Sequence, residues 1–135
     1  MQIRKLEYND YDDILTKWWK DWRWEYSPPR DFLPDDGTGG LIIYDGDIPV
    51  CAGFIYMSNS KLGWVEFVVS NREYRDRENR KLYLSTLIES LGNILKEAGA
   101  KYTYVSLKSE SLIKIYEDLG YVKGSKGVFE MIKQL

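Results

Sequence analysis

The segment WVEFVVS, Trp64 to Ser70, is apolar at almost every position and runs through a charged turn into a long helical pattern. A strand of that kind leaves neither face in water, so it belongs in a sheet covered on both sides. One cover follows directly. Leu84, Leu87, Ile88, Leu91, Ile94, Leu95 and Ala98 recur at spacings of three and four, the signature of one helical face. Gly99 stands where helices commonly end in a left-handed residue.

The second cover is expected from YDDILTKWWKDWRW, with Asn9 or Asp10 as its cap. Tyr11, Ile14, Leu15, Trp18 and Trp22 fall on one stripe and read as core; Trp19 and Trp24 fall off it and read as a contact surface. The prolines and glycines of SPPRDFLPDDGTGG cannot continue that helix.

QIRKLEY reads as a short first strand. LIIYDGDIPVCAGFIYM reads as a hairpin turning at Asp45-Gly46, with Pro49 near a strand start and Gly53 marking a bulge or a close backbone approach. KYTYVSL is a further strand, and Ser109 or Ser111 caps the short helix LIKIYEDL, which Gly120 ends. YVKGSKGVFEMIKQL reads as a closing hairpin around Gly124 to Gly127. This order specifies an α+β fold, a mixed sheet with helices on both faces, in one domain over residues 1–135. Two strand–helix–strand units are expected as right-handed crossovers.

Composition removes several chemistries. The chain has no histidine, so Ser-His-Asp and Cys-His catalysis and histidine metal sites are excluded, and no metal site is expected. The single Cys51 cannot form an internal disulfide and reads as a small core residue. A net charge of −2 argues against a broad nucleic-acid-binding face. With no apolar run at the N-terminus and no membrane-length segment, the expected compartment is the cytoplasm.

Three constellations carry chemistry. Arg72, Arg75, Arg77, Arg80 and Lys81 crowd a turn that leads into a helix, where free N–H groups favour anions; Glu73, Asp76 and Glu78 dilute them. On its own residues this stretch reads as a solvated turn with local ion pairs. Tyr116 lies late on its helix and reads either as a proton donor or as a packed tyrosine with one hydrogen-bond partner. Glu66 interrupts an apolar strand; it is either a buried base with a raised pKa or an outward-facing carboxylate.

Taken together, these stretches resemble the GCN5-related N-acetyltransferase (GNAT) superfamily over nearly the whole chain. Gly53-Phe54 is similar to a Gly-Phe pair that ends the family's third strand. Tyr74-Arg75 stand where a Tyr-Arg pair precedes the coenzyme loop. Tyr116 follows Ser109 by seven residues, as a tyrosine follows an asparagine in the family, and Gly120-Tyr121 match a later Gly-Phe pair. The family loop is Gln/Arg-x-x-Gly-x-Gly/Ala; Glu78 and Arg80 stand at its glycine positions here, which implies weakened but real coenzyme binding.

The resemblance implies a mostly antiparallel twisted sheet of about six or seven strands. It implies acetyl-CoA as cofactor, with pantetheine between WVEFVVS and KYTYVSL on main-chain groups of Val68, Val69 and Ser70. The pyrophosphate would lie on N–H groups of Arg75, Asp76, Arg77, Glu78, Asn79 and Arg80, and Ser109, at the family's asparagine position, would also bind the coenzyme. Tyr116 would protonate the departing thiolate, and Glu66 would take the amine proton. Trp19, Trp24 and Tyr26 would face the acceptor, a primary amine of a small molecule or protein. A homodimer is compatible with this reading. The alternative is a GNAT-like binding or assembly protein that uses its tryptophan-rich first helix.

Overall fold

Residues 1–135 are described in a computed structural model. Its sheet has five strands: β1 (Gln2–Lys5), β2 (Gly40–Asp45), β3 (Ile48–Met57), β4 (Leu62–Ser70) and β5 (Tyr102–Tyr104). They lie side by side in chain order. The first four are antiparallel neighbours, and β5 joins β4 in parallel. The sheet is mixed and mostly antiparallel as expected, with fewer strands. No strand follows residue 120, so the closing hairpin expected there is absent. β5 is only 3 residues long and exposed throughout, which offers little ladder for a hairpin to extend. One strand–helix–strand unit, not two, joins parallel neighbours.

Helices cover both faces. On one side, α2 (Arg77–Glu97) and α3 (Glu110–Asp118) pack with Val50, Val65 and Val68. On the other, α1 (Thr16–Asp21) packs Trp18 and Trp19, with Leu15 just before it, on Ile42, Ala52, Phe54 and Val69. Burying these apolar side chains contributes about 25 cal/mol per Å² removed from water, so α2, a 21-residue helix, is held mainly by its inner face. That face is Tyr83, Leu84, Leu87, Ile88, Leu91 and Leu95. Ile94, at the stripe's edge, and Ala98, at the C-cap, are exposed instead.

The first helix departs most from its expected phase. It opens with a π-helical turn, Tyr11–Leu15, whose wider i→i+5 spacing shifts every later side chain around the axis. Trp19 is therefore fully buried and Trp22 is 40% exposed, the reverse of the regular-helix expectation. The helix also stops early. Arg23 takes the left-handed φ of 57°, and the Trp24 N–H reaches the Trp19 carbonyl at 3.0 Å, a Schellman-type ending. Neither Asn9 nor Asp10 caps this helix with its side chain. Asp10 instead accepts from the Glu7 N–H at 2.6 Å and forms a two-pronged pair with Arg4 at 2.8 and 3.0 Å.

The β2–β3 hairpin turns where expected, with Asp45 paired to Ile48 and Gly46 at φ 58°. No helix is long and apolar enough to cross a membrane. Cys51 is buried, and burial pushes its thiol pKa up.

Candidate functional site

The middle of β4 carries an extra residue. Ala52 pairs with Val69 and Phe54 with Glu66, so three steps on β4 oppose two on β3. Phe67 absorbs the mismatch at φ 53°, a left-handed conformation costing a residue with a Cβ about 1 kcal/mol or more. Gly53, opposite the bulge, is required for room: a Cβ there would lie 2.9 Å from Val68 Cγ2 and 3.0 Å from Leu91 Cδ1. Gly53 thus marks the bulge from the opposing strand, and what comes close to it is side chains of β4 and α2, not another backbone.

The bulge changes which way side chains point. Val65 and Val68 pack toward α2. Glu66 is the cross-strand partner of Phe54, which belongs to the α1 side, and Phe67 packs on that side too. Directly opposed residues share a face, so Glu66 and Phe67, consecutive in sequence, project from the same face.

The same segment is where the sheet opens. β4 pairs with β5 only through Leu62, Gly63 and Trp64. Beyond Trp64 the strands part, leaving the β4 edge from Val65 to Ser70 without a strand partner on that side. Two side chains meet at the parting. Tyr116, buried on α3, donates its hydroxyl to the Val65 carbonyl at 3.1 Å. Glu66 accepts from the Ser106 N–H, at 3.3 Å to each carboxylate oxygen.

Electrostatics follow from burial. The Glu66 carboxyl is pushed up to about 7, first by desolvation; the Ser106 N–H opposes this, Glu130 adds to it, and the Phe67 N–H opposes it. No lysine or arginine pairs with Glu66. Burial, with Tyr121 and Glu66 adding, raises the Tyr116 phenol well above its ordinary range, so it stays protonated. Tyr121 packs edge-on against Tyr116 at 4.8 Å between centroids.

The turn from β4 into α2 is exposed at Arg75, Asp76, Arg77, Glu78 and Asn79. Asp76 is the N-cap: its carboxylate accepts from the Asn79 N–H at 3.1 Å and from the Asn79 side-chain amide at 2.9 Å. The helix therefore meets an internal carboxylate at its positive end. Arg80 turns away, donating to the Tyr74 carbonyl at 3.2 Å. Arg75 and Arg77 are in no ion pair. The Ser70 carbonyl accepts from Trp22 Nε1 at 2.7 Å, while Val68 and Val69 are buried in the sheet. Ser109 caps α3 through the Leu112 N–H at 3.4 Å.

Of the three expected acceptor-facing aromatics, Trp19 is removed to the core, where Leu15 and Trp18 pack beside it. Trp24 is half-buried, and Tyr26 is exposed. Sequence reasoning missed a different aromatic group. Trp24, Phe32 and Tyr56 surround Phe67, with ring centroids 6.2, 5.9 and 6.3 Å from it. Only the consecutive Glu66 and Phe67 hinted at it, and strict strand alternation assigns those two to opposite faces.

Compared with solved structures, the chain superposes end to end on proteins that are mostly acetyltransferases. Glucosamine-6-phosphate N-acetyltransferase from Arabidopsis thaliana matches with a TM-score of 0.65 at 17% identity, over 98% of each chain. The chain has the GNAT fold. A component of the NatC complex, solved with Gag peptide and CoA, matches at 0.69 and 17% identity over 93% of this chain and 87% of its own. A transcriptional regulator from Bacillus halodurans matches at 0.69 and 15% identity, over 97% of this chain and 99% of its own. At such identities the likeness establishes the GNAT fold alone. No protein-family model and no curated protein matches the sequence.

Proposed function

We propose that this protein is an N-acetyltransferase that moves an acetyl group from acetyl-CoA to a primary amine of a small molecule or protein. The observation that carries this is the parting of β4 from β5 at Trp64, with the Tyr116 hydroxyl and the Glu66 carboxylate both at the opening.

The chain fits the coenzyme well at one end and less well at the other. The unpaired β4 edge presents main-chain groups of Val68, and Ser109 stands at the N-cap of α3. At the start of α2, Arg75 and Arg77 are free to meet phosphates, but Asp76 already holds the Asn79 N–H, and Glu78 adds a second negative charge. When bound, the coenzyme supplies the acetyl thioester. The chain's own residues handle protons. Glu66, with a pKa near 7, accepts one from the incoming ammonium, directly or through water. Tyr116 holds one on Oη beside the parted strands, where a negative charge would develop.

Calorimetry with acetyl-CoA tests the reading, and no heat at millimolar ligand would overturn it. The second reading, a binding protein on this fold, draws support from Asp76 and Glu78 at the start of α2. It loses Trp19 as a contact residue, since that side chain is buried. Its remaining surface is Trp22 and Tyr26, 40% and 77% exposed. A pull-down in which Trp22→Ala with Tyr26→Ala retains every partner would dispose of it.

A further inference from the structure

The aromatic group around Phe67 is larger than the core needs. Phe32 is 41% exposed, and Trp24, Tyr56 and Phe67 are all part-exposed. It is held in place: the Tyr56 hydroxyl donates to the Phe32 carbonyl at 2.9 Å, fastening the 3₁₀ turn Arg30–Phe32 to β3. Phe67 is kept at a strained φ of 53° in order to face this way. Four rings elsewhere in the molecule carry a guanidinium, with Arg30 over Tyr8 and Tyr11, Arg4 over Tyr44 and Arg72 over Trp22. None of the four rings of this wall does.

Beside the wall is Glu66, a carboxylate with no cationic partner, and Glu130 adds a second negative charge to its surroundings. An unpaired, half-buried carboxylate favours a cation, and uncovered ring faces favour flat apolar groups and cations. A phosphate or carboxylate on the ligand would meet repulsion at the same place. Glu66 and Phe67 are consecutive and share a face, and consecutive Cα atoms are about 3.8 Å apart. One small molecule can therefore reach both groups if a short spacer joins its amine to its ring.

From this juxtaposition we infer that the acceptor is an arylalkyl primary amine. Its ring rests on Phe67, Phe32 and Trp24, and its ammonium lies at Glu66. This rests on the transferase reading for its chemistry but not for its binding.

The test separates the two. Phenethylamine, ethylamine, 3-phenylpropanoate and glucosamine 6-phosphate are titrated into the full chain by calorimetry without coenzyme. Phenethylamine is expected to bind at least tenfold tighter than each of the others. Phe32→Ala, at an exposed position, is expected to weaken phenethylamine about tenfold, and Glu66→Gln to erase its advantage over 3-phenylpropanoate. Equal binding of phenethylamine and ethylamine, or no effect of Phe32→Ala, overturns the inference. CoA release from acetyl-CoA is then followed with each amine. Binding of phenethylamine with no release under any amine overturns the transferase reading and leaves the binding inference standing. Release with glucosamine 6-phosphate but not with phenethylamine overturns the acceptor assignment and leaves the transferase reading intact.

Discussion

The Tyr116 hydroxyl donates to the Val65 carbonyl at 3.1 Å, and these residues are 51 positions apart in the chain. Val65 is the first β4 residue beyond the last pair with β5. The bond therefore ties α3 to the strand edge where the sheet opens. It also explains why Tyr116 can be both buried and polar: its one donor has its one partner.

Removing that hydroxyl separates its two roles. Tyr116→Phe loses one hydrogen bond, about 1 kcal/mol, and leaves the ring packed on Tyr121. Melting should fall only a few degrees. If Tyr116 supplies the proton for transfer, turnover should fall by about 10²- to 10⁴-fold with little change in KM. A variant that turns over at the wild-type rate would remove Tyr116 from the chemistry.

If Glu66 is the base of the proposed transfer, stability and activity depend on pH in opposite directions. Its folded pKa, about 7, lies above the ordinary 4.5. Between those values the folded protein binds more protons than the unfolded chain, so this group's contribution to stability falls as pH rises toward 7. After discounting for its partial exposure, the loss is about 2 kcal/mol. Glu66→Gln should match wild type near pH 4 and be the more stable near pH 8, as read by urea denaturation. A base acts in its ionised form, so if Glu66 is that base wild-type kcat/KM should rise through about pH 7 while Glu66→Gln stays low and flat. Parallel pH profiles for the two proteins would exclude Glu66 as the base.

Asp76 gives the missing loop glycines a different weight. Glu78 and Arg80 lie inside α2, where each glycine costs about 1 kcal/mol of helix stability. Glu78→Gly with Arg80→Gly should therefore melt lower while binding coenzyme more tightly. Asp76→Ser keeps a capping oxygen on the Asn79 N–H and removes a charge from the anion position. It should tighten acetyl-CoA several-fold with a stability change below about 1 kcal/mol. Calorimetry showing no gain in either variant would mean that negative charge and lost glycines do not limit binding.

Gly40 tests the bulge from the opposite side. A Cβ on Gly40 would be driven against the Gly53 carbonyl oxygen, and backbone there has no room to yield. Gly40→Ala should lose about 3 kcal/mol or fail to fold, at the upper end for overpacking. Gly46→Ala meets nothing nearby but is strained at φ 58°, and should cost about 1 kcal/mol. Equal melting temperatures for the two variants would contradict the packing.

What the sequence makes legible follows from periodicity. WVEFVVS as a doubly covered strand, the stripe on α2 and the Asp45-Gly46 hairpin are each read from regular spacing and appear in the structure. So do Gly99 and Gly120, which end their helices at φ 103° and 100°. The departures sit where periodicity is broken by backbone geometry that leaves no mark on composition. The π turn at Tyr11–Leu15 exchanges Trp19 and Trp22 between core and surface. The bulge at Phe67 places two neighbours on one face and so assembles an aromatic wall from Trp24, Phe32 and Tyr56. The missing final hairpin is a tertiary matter, since a strand pattern pairs only if a long enough edge awaits it.

The exchange of tryptophans is itself a prediction. Trp19 is fully buried with its indole N–H unpaired and packs against Tyr11 and Trp24. Trp19→Ala should cost about 3–5 kcal/mol. Trp19→Phe, which removes the unsatisfied donor while keeping a ring, should cost far less than the alanine variant. Trp22 is 40% exposed and holds the Ser70 carbonyl at 2.7 Å. Trp22→Phe breaks that bond for about 1 kcal/mol and frees an acceptor at the β4 edge where pantetheine would lie. Its coenzyme affinity should rise as its stability falls. Urea denaturation and acetyl-CoA calorimetry on the same three proteins decide this; a Trp22 variant more destabilised than Trp19→Ala would mean the helix is not phased as described.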